Sequence, residues 1–511
     1  MTPTPGRDLY GFFRRRFPAD PARVFIELAD GRTIRYAELD ALTGRFANLL
    51  VRLGVQPGDR VAAQVDKSAA ALLLYLATLR AGAVFLPLNA AYTAGEIRYF
   101  LGDAEPALFV CRPPDEAVLA PLALELGVRN LRTLGSDDDG SLALEAAACD
   151  GAFADVPRAG DDLAAILYTS GTTGRSKGAM LTHDNLRSNA EALCAAWRWT
   201  AADRLLHALP IFHTHGLFVA THVTLAAGAS MILLPRFDAP ELLRHMPRAT
   251  VLMGVPTFYT RLLAAPAFTR DLAAHMRLFV SGSAPLSAET HREFRARTGH
   301  AILERYGMTE TNMNTSNPYD GERVPGSVGA PLPGVRLRIA DPASGRVLGT
   351  GEVGVIELEG PNVFKGYWRN PAKTAEEFRA DGFFVTGDLG RVDERGYVWI
   401  VGRARDLIIS GGLNVYPAEV ETVLDELPGI AESAVIGVPH PDLGEGVVAV
   451  VTPAPGGAAD EAAVIAALAD RLARYKQPKR VFFVAELPRN AMGKVQKQEL
   501  RTRYAATFAT T

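Results

Sequence analysis

The segment Tyr168-Thr-Ser-Gly-Thr-Thr-Gly-Arg-Ser-Lys-Gly178 crowds Thr169, Ser170, Thr172 and Thr173 around Gly171 and Gly174 and places Lys177 shortly after them. Glycines let backbone N–H groups approach phosphate oxygens closely, hydroxyls add donors, and a lysine adds positive charge. The segment is not a P-loop of the GxxxxGK[ST] kind, because Lys177 does not directly follow Gly174 and is itself followed by Gly178. A plain flexible turn has no need of a lysine and so many hydroxyls directly behind an apolar run. The chemistry that suits this composition is the binding of a polyphosphate.

Such a loop must be held by a rigid frame. Residues 163–167 read as a buried strand before it, and a helix begins near His183 after it. From Val24 to about Arg236 short apolar runs alternate with helical periodicity: strands at 61–65 and 83–88 flank a helix at 69–79. A second block, from Thr250 to Met308, has strands at 278–280 and 301–303 around a helix at 288–298. Alternation of this kind predicts an α/β fold with parallel sheets covered by helices. From Gly329 to Val401, Gly, Pro and alternating patterns such as 353–358 predict a β-barrel-like subdomain. After Gly402, helices at 419–427 and 462–475 and strands at 432–438 and 446–451 read as a small α+β unit. The expected division is 1–402 and a mobile domain 403–511, with a hinge close to Arg403–Asp406.

Composition narrows the class of function. With 54 basic and 57 acidic residues spread along 511, there is no polybasic field for nucleic acid or anionic membrane, and small-molecule chemistry is favoured. Cys111, Cys149 and Cys194 have neither metal-site spacing nor an even count, which fits a reducing cytoplasm. No apolar stretch long enough for a signal peptide or a membrane span follows Arg14–Arg16. No obligatory protein partner is evident.

The loop resembles the signature of the acyl-adenylate-forming enzymes, the superfamily of acyl-CoA synthetases, luciferases and peptide-synthetase adenylation domains. Its other motifs follow in the family's order from about Leu28 to Leu500. Arg305-Tyr-Gly-Met-Thr-Glu310 resembles the element that implies adenine stacking on Tyr306, beside Gly307 and Met308, phosphate contact by Thr309 and magnesium held by Glu310. Thr386-Gly-Asp388 and Arg403 are similar to the ribose-binding pair, and an ionised carboxylate does accept hydrogen bonds from two hydroxyls. Pro488-Arg-Asn-Ala-Met-Gly-Lys494 is similar to the loop whose lysine serves adenylation; the small Ala491 and Gly493 suit insertion into a cleft. The resemblance implies ATP, Mg2+ and coenzyme A as cofactor and co-substrates, a pivot at Arg405, and a tunnel for the pantetheine arm at Ser410, Gly411 and Gly412.

The acyl pocket of that family is walled by segments that read here Pro210-Ile-Phe-His-Thr-His-Gly216, Ser281-Gly-Ser-Ala-Pro-Leu286 and Glu304–Asn314. These offer Arg305, His213, Thr214 and Ser283 where a fatty-acid pocket would be apolar. The stretches Thr309–Pro318 and Arg474–Arg480 resemble malonyl-CoA synthetases, which implies Arg305 and Ser283 as anchors for a distal carboxylate, with Thr214 and Met313 near the central carbon. The plainer alternative for Arg305 is a structural salt bridge, with Glu304 or another acid. His215 is read as a core histidine and left out of the site. The expected activity is ATP-dependent synthesis of malonyl-CoA through a malonyl-adenylate. The alternatives are a ligase for another short acid or a free-standing adenylation enzyme that loads a carrier protein.

Overall fold

In the computed structural model, residues 8–137, 139–169, 176–411, 413–455, 460–469, 471–490 and 493–509 are described. The alternation of apolar runs and helices folds into two large sheets. One has six strands in the order Asn130–Thr133, Leu108–Cys111, Arg60–Gln64, Val84–Pro87, Leu163–Thr169 and Lys177–Thr182, all parallel except the last pair. The other has nine strands, with a parallel centre running from Val24–Leu28 through Ser230–Leu233, Arg204–His207, Val251–Gly254 and Leu278–Ser281 to Leu303–Met308.

The helix Ala69–Arg80 shows why the two sheets stay together. Ser68 caps it by accepting from the Ala71 N–H, and all twelve of its residues are buried. A helix apolar on every side has no face for water and must lie between layers. One continuous core accordingly joins residues of both sheets, from Leu9 to Phe384.

The region expected to be barrel-like is a four-stranded antiparallel sheet of Arg336–Ala340, Gly354–Glu359, Phe384–Val392 and Val398–Arg403. Arg403 still belongs to this sheet. A short turn, Ala404–Asp406, leads into a five-stranded sheet in a separate C-terminal domain, whose two faces carry cores made only of residues from Ile408 onward.

Two expectations shift, and one strand is added. A strand, Lys177–Thr182, paired antiparallel with Leu163–Thr169, stands before the helix His183–Ala196, which begins where expected. The strand read at 301–303 is Leu303–Met308 and carries Arg305 and Tyr306 on its own body. The helix read to 475 ends at Leu468, where the chain turns so that Leu472 also reaches the core beside it. Among the described residues no helix is long and apolar enough to cross a membrane.

Candidate active site

The strand Leu303–Met308 ends at the edge of the four-stranded sheet, and this junction organises one half of the site. Tyr306 Oη donates to Asp388 Oδ2 at 2.5 Å, and Arg403 Nε lies 2.6 Å from Asp388 Oδ1. Asp388 and Arg403 face each other in strand register. Thr386 fixes the Asp388 backbone by accepting its N–H at 3.0 Å. Burial, then the neighbouring Asp388 carboxylate, raises the Tyr306 phenol well above its ordinary range. Gly307 lets the chain pass Met313, since a Cβ there would collide with the methionine methyl. Met308 packs against the main core, and Thr309 follows it at the strand end.

Glu310 is buried, and its Oε1 is 3.1 Å from Tyr367 Oη and 3.4 Å from Thr169 Oγ1. Burial raises its pKa. Thr169 and Lys177 face each other in strand register. Lys177 Nζ is 3.2 Å from Glu377 Oε1 and 4.7 Å from the centre of the Tyr367 ring. Tyr367 also donates to Glu377 Oε2 at 2.6 Å. Tyr367 and Glu377 therefore join the lysine to Glu310, and no local motif marks either of them in the sequence. Ser170, Gly171, Thr172, Thr173 and Gly174 lie outside the described residues.

The other half surrounds Arg305. Its guanidinium is buried, and among the described residues Nε and Nη2 have no hydrogen-bond partner. Burial lowers its pKa to about 9, which leaves a cation at neutral pH. Gly282 lies directly against it, and a Cβ at that position would strike the guanidinium. Ser283 takes a left-handed backbone, φ 72°, and its Oγ sits 3.3 Å from His215 Nδ1. Thr214 Oγ1, His215 Nε2 and Ser281 Oγ are likewise buried without a partner among the described residues. His213 Nδ1 accepts from the His215 N–H at 3.3 Å. Burial, then Arg305, then Lys494 lower the His213 pKa to about 4, and burial and Arg305 drive His215 well below its ordinary value. Both imidazoles are neutral. His215, set aside on sequence grounds, thus belongs to this cluster; its place two residues after His213 was the available clue.

Buried polar atoms without partners are costly, and several together mark where a polar ligand sits. Met313 is buried opposite Gly307 in strand register, its backbone N–H and C=O held by Asn189 at 3.3 and 2.8 Å.

The C-terminal domain brings Lys494 to the seam between these halves. The turn that carries it is closed by Asn490 N–H to Lys494 C=O and Lys494 N–H to Asn490 Oδ1, both 3.0 Å. Gly493 packs beside Thr257 of the large region. Burial and then Arg403 lower the Lys494 pKa to about 8, while Asp388 works the other way. Arg405 lies in the turn between domains, and the next residue, Asp406, is tied to Arg501 at 2.6 Å. Ser410 is buried, and Gly411, at φ 59°, donates to the Leu443 carbonyl. Among the described residues nothing joins that turn to the cluster, and Gly412 lies outside them.

The family model for AMP-binding enzymes matches residues 13–368, and that for the AMP-binding enzyme C-terminal domain matches 419–494. The chain belongs to the AMP-binding enzyme family. Within it, the chain is 39% identical over 479 residues to a feruloyl-CoA synthase from Amycolatopsis sp, covering 93% of this chain and 94% of that protein. It is 35% identical over 523 residues to the malonate–CoA ligase of Arabidopsis thaliana, covering 93% and 85%. The crystal structure of ATP-bound MatB from Rhodopseudomonas palustris matches with a TM-score of 0.97 at 60% identity, over 98% of this chain and 100% of that one. This AMP-binding enzyme is an AMP-forming acid–CoA ligase, using ATP and coenzyme A.

Proposed function

We propose that this acid–CoA ligase is selective for malonate, joining it to coenzyme A through a malonyl-adenylate. The relatives at similar identity act on ferulate, indoleacetate, sulfoacetate and malonate by name, so identity alone does not choose the acid. The observation that carries the choice is Arg305. A buried guanidinium whose Nε and Nη2 have no partner among the described residues, with two neutral histidines within its field and Ser283 bonded to one of them, calls for a small anion. The salt bridge with Glu304 is not among the ion pairs of the described residues, and Glu304 accepts instead from the Gly326 N–H at 3.2 Å.

In this reading the distal carboxylate of malonate rests on Arg305 and Ser283, and its reacting carboxylate points toward Lys494. Asp388 and Arg403 hold the ribose, Tyr306 lies along the adenine, and Lys177, Thr169 and the glycine-rich loop hold the phosphates. The mobile ammonium of Lys494 stabilises the charge that develops as carboxylate oxygen attacks the α-phosphate and pyrophosphate leaves. Glu310, a buried carboxylate facing the phosphate side, suits a hard cation that keeps most of its ligands from phosphate and water. Magnesium bound there would neutralise phosphate charge. The C-terminal domain beyond Arg405, with Arg403 left on the sheet that holds the ribose, then turns about Arg405 and presents Ser410, Gly411 and Gly412 for thioester formation. The three free cysteines agree with a cytoplasmic setting.

A pyrophosphate-release screen across acetate, propionate, malonate, methylmalonate, succinate and octanoate tests the choice of acid. Preference for malonate or methylmalonate is expected, and preference for a monocarboxylate overturns it. Mass spectrometry of the product distinguishes free malonyl-CoA from an adenylate awaiting a carrier protein.

A further inference from the structure

Away from the groups assigned above, two further basic side chains meet where the two large sheets converge. Lys67 lies in the connection between the strand Arg60–Gln64 and Ser68, which caps the helix Ala69–Arg80. Its Nζ is 3.1 Å from His207 Nδ1 and 2.8 Å from the His207 carbonyl oxygen. His207 is the last residue of the strand Arg204–His207 in the other sheet, and its Nε2 is 3.1 Å from the Gly216 carbonyl oxygen.

The chemistry of these contacts fixes the protonation. A carbonyl oxygen only accepts, so Nε2 carries the hydrogen. Nδ1 is then an acceptor, which suits the N–H of Lys67. Burial presses the His207 pKa well below its ordinary value, with Lys67 beside it adding to the effect, and burial likewise lowers the Lys67 pKa, in keeping with a neutral ring held by hydrogen bonds.

Gly216 is a junction. It stands in the π-helical turn His215–Ala220, directly after Thr214 and His215, and its carbonyl also accepts from Thr221 Oγ1 at 3.0 Å. Any Cβ at 216 would collide with the Pro210 carbonyl, so the turn is pressed tightly onto the segment before it. A single π turn is a local departure from helical geometry that needs outside support, and such turns occur often at functional sites. The same helix, Ala69–Arg80, grips the far side as well: Tyr75 Oη is 2.8 Å from His222 Nε2, just past the π turn.

We propose that Lys67 and His207 are positioning residues for the acyl pocket: Lys67 holds His207 in its Nε2–H form, and His207 holds Gly216 so that Thr214 and His215 face Arg305 and Ser283. The inference rests on the reading of that pocket as the acid site. It adds that the pocket's shape depends on a tie from the opposite sheet, through residues that touch no substrate.

The test is steady-state kinetics of Lys67→Met, His207→Leu, His207→Gln and the Lys67→Met/His207→Leu pair, each with malonate and ATP varied separately. A displaced pocket wall should raise the malonate KM of the first two by about tenfold or more while the ATP KM stays within about twofold. Glutamine places an N–H close to where Nε2–H stands, so His207→Gln should remain within about threefold of wild type. If Lys67 acts through His207, the double variant should be no worse than His207→Leu alone. Should the apolar variants fail to fold, Lys67→Gln and His207→Gln replace them, and both should stay close to wild type for malonate. Unchanged malonate KM in Lys67→Met and His207→Leu, equal losses for malonate and ATP, or failure of His207→Gln to rescue would each overturn the proposal. Arg305→Leu in parallel separates the two claims: if it leaves malonate preference intact, the pocket reading fails whatever Lys67 does.

Discussion

Glu304 and Arg305 are neighbours on the strand Leu303–Met308, both buried, and they do not neutralise each other. Successive side chains of a strand point to opposite faces, so the two occupy different environments. Glu304 accepts from the Gly326 N–H on one face, while Arg305 lies over Gly282 on the other. The acid is left in a poorly solvated place, and burial pushes its pKa up to about 8. Among the described residues the cation has no acid of its own, and that is what makes it available to a ligand.

The first prediction concerns Glu304 and pH. The folded protein holds this proton up to about pH 8, whereas an unfolded glutamate loses it near its ordinary value of 4.5. Between those limits the folded state binds more protons than the unfolded one, so stability from this group falls as pH rises. Glu304→Gln should therefore show a smaller decline in Tm from pH 5.5 to 8.5 than wild type. Parallel Tm profiles would show that Glu304 is ionised in the folded protein throughout.

A second prediction uses Gly282. Alanine there drives the Arg305 guanidinium out of place, because no room exists for a Cβ. Malonate kcat/KM should fall by at least about tenfold with the KM for ATP unchanged, as for other small displacements of a positioned group. An unaffected malonate kcat/KM would mean that Arg305 has space to retreat and still serve.

The third prediction separates the half-reactions. Lys494→Ala should slow malonyl-adenylate formation by ~10³-fold, the scale of losing one preorganised charge, and still convert supplied malonyl-adenylate to thioester. With a Lys494 pKa of about 8, kcat/KM for ATP should decline above pH 8 as the ammonium loses its proton. Lys494→Arg should move that decline to higher pH. Equal loss in both half-reactions would mark the lysine as structural.

A fourth concerns the turn between domains. Proline at Arg405 fixes φ at one value and opposes rotation of the C-terminal domain. Adenylation, the step for which Lys494 already faces the site, should survive better than thioester formation in single-turnover assays. Equal rates in both steps relative to wild type would place the pivot elsewhere.

Much of this was legible in the sequence where local rules decide. The helix Ala288–Thr298 begins after Ser287 and stops at Gly299, and both ends are written in the residues. The helix Ala69–Arg80 follows from its capping serine and unbroken apolar run. The strand Lys177–Thr182 escaped because its six residues contain glycine and lysine, and it is a strand through pairing with Leu163–Thr169 and with the distant segment around Tyr367. Arg305, Ser283, Asp388 and Lys494 could be named from motifs. Tyr367, Glu377, Lys67 and His207 could not, because their meaning comes from partners far away in the chain, at 57 residues for Tyr367 with Glu310 and 140 for Lys67 with His207. His215 was visible, but its contact with Ser283, its unpartnered Nε2 and its closeness to Arg305 are what distinguish it from a core histidine.

The central claim is that Arg305 selects a dicarboxylate, and its most direct test is the ratio of kcat/KM for malonate to that for propionate in wild type and in Arg305→Leu. Wild type should favour malonate by roughly 10²–10⁴-fold, since a monocarboxylate leaves the buried cation unpaired. In Arg305→Leu that ratio should collapse toward unity or invert, with the KM for ATP retained. A variant that keeps the wild-type ratio would contradict the account.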